Sequence, residues 1–152
     1  MSLHLQDMVV ADLPAVVDLD SMVAQRPWSR EMFLEELRLQ SFCRVLLAAD
    51  GVLVGFCVSR LLFDEWHLLT VGVGLKVRQR GYGQRLLGDI INKATLTHSR
   101  CVLLEVRVSN SPAQNLYKKM GFKTLCIRDN YYKSPPGTED AVVMELPVGN
   151  GG

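Results

Sequence analysis

A chain of 152 residues is long enough for one domain with a real core and too short for two ordinary ones. Hydrophobic residues make up 48% and charged residues 22%, the profile of a soluble globular protein. A formal net charge of +1 excludes a general field for nucleic acid or an anionic membrane, so any anion binding must be local.

The N-terminal stretch "MSLHLQDMVV" has no basic region followed by a long apolar core and makes a poor signal peptide. No apolar run approaches the roughly 18 residues that span a bilayer. A cytoplasmic protein is expected. The four cysteines, Cys43, Cys57, Cys101 and Cys126, are scattered beside apolar runs without a C-x-x-C pair. Buried thiols in a reducing compartment are expected, with neither a disulfide frame nor a metal site.

In chain order, "LHLQDMVV" reads as a first strand. Asp12 then caps a helix to about Ala24, with Pro14 in its first turn. Ser29 caps a second helix whose apolar face holds Phe33, Leu37, Met32 and Leu34. "RVLLAADGVLVGFCVSRLL" reads as two strands around the Asp50-Gly51 turn. "WHLLTVGVGL" is apolar on both faces and is expected to be a central strand.

The stretch "VRQRGYGQRLLGDIINKA" places a basic glycine turn before a helix, in which Leu86, Leu87, Ile90, Ile91 and Ala94 recur at helical spacing. It is not a Walker A loop, because no G-x-x-x-x-G-K-[ST] is present. Nor is it the dinucleotide fingerprint, because Leu86 stands where a third glycine belongs. What remains is R-x-x-G-x-G between a strand and a helix. Glycines there let successive N–H groups point at one spot, where the helix dipole adds positive potential and a pyrophosphate would fit. A turn that is glycine-rich only for its geometry is an equal alternative on these residues alone.

"CVLLEVRV" is a buried strand interrupted by one carboxylate, Glu105. Ser111 and Pro112 open a further helix as N-cap and N1, and Gly121 ends it at C′. "FKTLCIR" and "AVVMELPV" are the last strands, separated by the polar loop Asp129 to Asp140 containing Pro135, Pro136 and Gly137. The expectation is one α+β domain over 1–147: a mixed, mostly antiparallel sheet of about seven strands with helices on both faces. Residues 148–152 form an expected flexible tail.

A central strand, the R-x-x-G-x-G turn, a long helix, "LEVRVSN" and "SPAQNLYKKMGF" follow the order of the GNAT superfamily of N-acetyltransferases. Arg78 to Gly83 resembles its coenzyme A pyrophosphate loop. Asn110, Ala113, Leu116, Tyr117, Gly121 and Phe122 resemble its N-x-x-A-x-x-L-Y-x-x-x-G-F signature. Through "RPWS", "DEWHLLTVGV", "LEVRVSN", "RDNYY" and "GTEDAVVMELP" the chain is similar to the bacterial ribosomal-protein-alanine N-acetyltransferases. "GLKVRQRG" departs from many relatives in lacking a proline before the loop.

The resemblance implies acetyl-CoA as cosubstrate and no metal. The backbone of Val71, Gly72 and Val73 would align the pantetheine arm, Asn110 would hydrogen-bond it, and Gln79, Arg80, Gly81, Tyr82, Gly83 and Gln84 would take the pyrophosphate. Glu105 would be the base and Tyr117 the acid that protonates the leaving thiolate, while Tyr131 and Tyr132 would meet the peptide. A base is useful because an α-amine with a pKa of about 8 is only about a tenth neutral at pH 7, and lysine near ~10.4 far less. Partial burial should raise the Glu105 pKa toward the working pH; its structural alternative is a partner for Arg107 or another cation. His67 is expected as scaffold. Cys101 with His98 suggests a thiol nucleophile only by proximity in sequence, so direct transfer through a ternary complex is favoured. Asp64, Glu65, Glu139 and Asp140 are candidates for facing a cationic substrate, although exposed acids are usually just solvated.

The implied activity is acetylation of a protein α-amine, the N-terminal alanine of a small-subunit ribosomal protein, with no nucleic-acid or membrane partner. The alternatives are a lysine or small-molecule amine acetyltransferase and a non-catalytic CoA-binding regulatory module.

Overall fold

The computed structural model describes residues 2–134 and 137–149. In chain order the elements are β1 (His4–Asp7), α1 (Leu13–Val23), α2 (Arg30–Arg38), β2 (Phe42–Leu47), β3 (Leu53–Leu62) and β4 (Glu65–Val73). They continue with α3 (Tyr82–Leu96), β5 (Cys101–Arg107), α4 (Ser111–Lys119), β6 (Lys123–Ser134) and β7 (Gly137–Pro147). The seven strands form a sheet in the order β1-β2-β3-β4-β5-β7-β6, so the apolar strand β4 is central, as its composition predicts. The β4–β5 pair is parallel over Glu65–Cys101, Trp66–Val102 and His67–Leu103. The pairs β1–β2, β2–β3, β5–β7 and β6–β7 are antiparallel, which makes the expected mixed α+β sheet.

The chain divides into two compact units, one running to Leu61 and taking in Leu69–Asp89, the other made of Leu62–Leu68 and the residues from Ile90 onward. In the first unit, Leu13, Val16 and Leu19 of α1 and Phe33 of α2 pack with Val45, Phe56 and Val58 of the sheet. Phe33 meets Phe56 edge to face at 5.6 Å, a geometry that aromatic quadrupoles favour. In the second unit, Val102, Leu104 and Val106 of β5 and Val142 and Met144 of β7 are buried, as are Tyr117 and Phe122.

Ser29 caps α2 as expected, its Oγ accepting the Met32 N–H at 3.2 Å. Asp12 does not cap α1 with its side chain. It ends a short 3₁₀ turn, Val10–Asp12, and its Oδ2 reaches back to accept the Val9 N–H at 2.8 Å. Met32 is exposed rather than part of the α2 apolar face, because Phe33 with half-buried Leu34 and Leu37 already fills that side. The Asp50-Gly51 hairpin forms as read, with Gly51 at φ +85° and Asp50 Oδ1 accepting the Val52 N–H at 3.0 Å.

Cys43, Cys57 and Cys101 are buried free thiols, but Cys126 is exposed, because β6 is the sheet's last strand. Val148 N–H and Gly149 N–H donate to the Arg100 carbonyl at 3.0 and 3.4 Å. The remainder of the expected tail, Asn150 to Gly152, lies outside the described residues, as do Pro135 and Pro136. No helix is long and apolar enough among the described residues to cross a membrane.

Candidate active site

The turn before α3 is built by backbone alone. A 3₁₀ turn at Leu75–Val77, closed by Val77 N–H on the Gly74 carbonyl at 3.1 Å, leads into it. Arg78 is extended, then Gln79 at φ +66° and Gly81 at φ +80° reverse the chain. The Arg85 N–H donates to the Gly81 carbonyl at 3.0 Å. The N–H groups of Tyr82, Gly83 and Gln84 precede this bond in the first turn of α3, where a helix has no internal acceptor for them. They lie at the positive end of the α3 dipole, with Arg78 and Arg80 exposed beside them in sequence. Tyr82 has a buried ring, so its contribution to such a cradle is its N–H. The donor set suits a pyrophosphate: neutral amides for close contact, guanidinium groups for charge.

In the same unit Gly72 lies against Phe56. A Cβ on Gly72 would stand 2.5 Å from Phe56 Cε1, so the β4 backbone approaches the core where no side chain fits. Overpacking there costs about 1–3 kcal/mol. Val71 and Val73 flank it, half-buried.

In the second unit, Glu105 lies at the centre of β5, half-buried as its surroundings in sequence predict. Its Oε1 accepts from Arg128 Nη1 at 2.8 Å. Of the cations weighed as its partner, Arg107 has an acid of its own, Glu139, at 3.5 Å. Glu139 also accepts the Ser109 N–H at 3.0 Å; a hydrogen bond from the Ser109 side chain foremost, then this backbone bond, ahead of the Arg107 charge, hold its carboxyl below the usual range. Sequence reasoning missed Arg128, which lies 23 positions from Glu105 and signals itself by no spacing.

Asn110, not Ser111, is the N-cap of α4. Its Oδ1 accepts the Ala113 N–H at 3.2 Å and Pro112 falls in the first turn. The frame is one residue earlier than expected because an Asn side chain reaches the third amide as well as a Ser does. Tyr117 is buried on this helix, its ring 5.9 Å from that of Phe122.

The expected loop from Asp129 to Asp140 is instead strand on both sides: β6 runs to Ser134 and β7 begins at Gly137. Tyr131, Tyr132 and Thr138 are strong strand formers, and their propensity outweighs the polar residues between them. The polar residues are absorbed by a register break between Arg128 and Tyr132. There Asn130 takes φ +51°, its N–H donates to Asp140 Oδ1 at 2.8 Å, and its own Oδ1 accepts from Thr138 at 2.8 Å. Tyr131 and Tyr132 meet edge to face at 5.0 Å. Arg128 stacks over Tyr131 at 4.3 Å and Arg107 over Tyr132 at 4.1 Å. A hydrogen bond to Glu105, then burial, raises the Tyr131 phenol, while burial foremost pushes that of Tyr132 up to about 12.

The acids weighed for a cationic substrate have partners within the chain. Asp64 and Glu65 pair with Arg100, and Glu139 and Asp140 are engaged as described. His67 Nε2 lies 3.6 Å from Glu65 Oε1, consistent with scaffold. Burial raises the Cys101 thiol, which makes it a poor nucleophile. Among the described residues no cluster of three or more His, Cys, Asp or Glu is placed to hold a metal ion. Asp20, which the sequence reading passed over, is buried in α1 and accepts the Trp28 N–H at 2.7 Å, fixing the connection into α2. An acid one turn after Val16 on an apolar stripe was the signal available.

The backbone turn of the first unit suits a phosphate-bearing ligand, and the half-buried carboxylate of the second suits proton transfer. Residues 13–122 match the acetyltransferase (GNAT) family, and the chain belongs to it. It is 33% identical over 137 residues to the [ribosomal protein bS18]-alanine N-acetyltransferase of Salmonella typhimurium, covering 90% of this chain and 92% of that one. The Escherichia coli K12 protein of the same name is 31% identical over the same shares. The crystal structure of the Escherichia coli ribosomal-protein-S18-alanine N-acetyltransferase superposes with a TM-score of 0.91 at 29% identity, covering 99% of this chain and 97% of that chain.

Proposed function

We propose that this chain is a single-domain N-acetyltransferase that moves the acetyl group of acetyl-CoA to a protein α-amine, the N-terminal alanine of a small-subunit ribosomal protein. The observation that carries this reading is similarity along nearly the whole chain to relatives named for that reaction. Acetyl-CoA, when bound, supplies an activated thioester and a thiolate leaving group.

The amides of Tyr82, Gly83 and Gln84, with the turn from Gln79, would hold its pyrophosphate. The pantetheine arm would run along the main chain of Val71, Gly72 and Val73. Asn110 would still offer its amide nitrogen to that arm, because its cap bond uses only Oδ1.

Transfer needs a neutral amine and a protonated thiol product. Glu105 would accept the proton that the attacking amine loses, directly or through water. Tyr117, whose phenol is protonated at neutral pH, would donate to the sulfur as the C–S bond breaks. Both protons are thereby accounted for without an acyl-enzyme, and the buried Cys43, Cys57 and Cys101 are poorly suited to forming one. Tyr131 and Tyr132 would meet the main chain of an extended peptide.

The test is to incubate the purified protein with acetyl-CoA and a peptide beginning with alanine, then locate the added acetyl by fragmentation mass spectrometry. Acetyl on Nα together with release of one free thiol per acetyl supports the reading. Acetyl on Nε assigns a lysine acetyltransferase, and binding without thiol release assigns a regulatory module.

A further inference from the structure

Glu105 and Tyr131 both meet Arg128. Arg128 Nη1 donates to Glu105 Oε1 at 2.8 Å and its guanidinium lies over the Tyr131 ring at 4.3 Å, and the neighbouring Glu105 raises the Tyr131 phenol. The local backbone makes this possible. Along a regular strand, residues three apart point to opposite faces, so Arg128 and Tyr131 would not meet. The register break between Arg128 and Tyr132, where three residues of β6 stand against Asp140 alone and Asn130 takes φ +51°, departs from that alternation and lets the two meet. Asp140 and Thr138 hold that bulge through Asn130.

Such a bulge does little for stability. The Arg128 side chain is 51% exposed and that of Glu105 30%, so water screens their attraction. What the arrangement does is fix the carboxylate and cover it in part. Arg107 is stacked over Tyr132 and paired with Glu139 at 3.5 Å.

We infer that Arg128 is the positioning residue for Glu105 and that, with Tyr131, it keeps the carboxylate partly covered until a peptide main chain takes the Tyr131 phenol. This rests on the reading of Glu105 as base. In the resting protein the carboxylate is held by a guanidinium on one oxygen and shielded by a phenol. An extended peptide offers backbone carbonyls that compete for the phenol's proton. Once the phenol turns to the peptide, Glu105 keeps its aim through Arg128 and is open to the amine. The base is thereby exposed when the acceptor arrives, which disfavours water as a competing nucleophile.

The experiment compares Arg128→Gln, Arg128→Lys, Tyr131→Phe and Glu105→Gln with the wild-type chain, each checked for an unchanged unfolding midpoint. Arg128→Gln is expected to lower kcat about tenfold with the KM for acetyl-CoA unchanged. Arg128→Lys, which keeps the charge but not the fork, recovers part of that loss. Tyr131→Phe raises the peptide KM more than it lowers kcat.

A second readout needs no acetyl-CoA: NMR of isotope-labelled tyrosine, with the Tyr131 signal assigned by Tyr131→Phe. Adding a peptide with a free N-terminal alanine should move that signal. Glu105→Gln should bring the Tyr131 titration down to the ordinary tyrosine range. A wild-type kcat in Arg128→Gln, or a Tyr131 signal that peptide leaves in place, overturns the inference. If Glu105→Gln turns over normally, the base reading falls instead, while the peptide-induced NMR shift still reports on the cover.

Discussion

The Phe122 N–H donates to the Tyr117 carbonyl at 3.0 Å, and the two rings lie 5.9 Å apart, tilted by 60°. With Gly121 N–H on the Lys118 carbonyl at 3.0 Å, this makes the left-handed helix end that glycine permits, Gly121 lying at φ +103°. The signature spacing from Tyr117 to Phe122 therefore has a mechanical meaning. It locks the last turn of α4 and presses the Tyr117 ring into a fixed place. Tyr117→Phe keeps that ring contact and removes only the hydroxyl, which makes it a clean probe of chemistry.

Tyr117→Phe is expected to lower turnover at every pH, because the lost step is protonation of the thiolate. Glu105→Gln is expected to lower turnover most at neutral pH and to recover partly as pH rises and more amine is already neutral. Two pH–rate profiles at saturating substrates decide it. Parallel profiles contradict the assignment of base and acid.

Gly83→Val puts a branched side chain over the first turn of α3, where the pyrophosphate would meet backbone amides. Acetyl-CoA affinity should fall by roughly tenfold or more while the fold is kept. Calorimetry on the folded variant checks this. Unchanged affinity returns the turn to a structural role.

The glycine turn, the central strand and the α4 signature were legible because each is written in local sequence. Gly81 and Gly121 supply the positive φ their turns need, and the Leu86–Ile90–Ala94 spacing defines the buried face of α3. Arg128, by contrast, reaches Glu105 through strand pairing and a bulge, which no local period encodes. The loop expected at Tyr131 and Tyr132 failed for a related reason. Polar residues that signal a turn in isolation were absorbed into a bulge held by Asp140 and Thr138. The exposure of Cys126 follows from strand order, which the sequence does not state.

Burial pushes the Cys43 and Cys57 thiols up to about 12 and raises that of Cys101, whereas Cys126 is exposed. In the native protein a thiol-specific reagent should therefore modify Cys126 alone on the fast timescale, and all four cysteines after denaturation. Two fast thiols in the native state would contradict the burial described.

The Tyr132 phenol, raised from 10.0 to about 12, binds its proton more tightly in the folded chain than in the unfolded one. Its contribution to stability is full below pH 10 and is lost as pH rises through about 12. Tyr132→Phe should flatten the fall in unfolding free energy across that window, measured by denaturant titration at a series of alkaline pH values. An unchanged slope means the phenol is not the group that titrates.

The central claim, that the acceptor is a chain terminus, is tested most directly by kcat/KM on two peptides of identical sequence containing internal lysines. One carries a free N-terminal alanine and the other the same alanine already acetylated. On the proposal that Tyr131 and Tyr132 would engage the main chain near the terminus, the free peptide should be acetylated on Nα and the blocked one should be a far poorer substrate. Equal rates on the two would contradict the account and leave a general amine acetyltransferase.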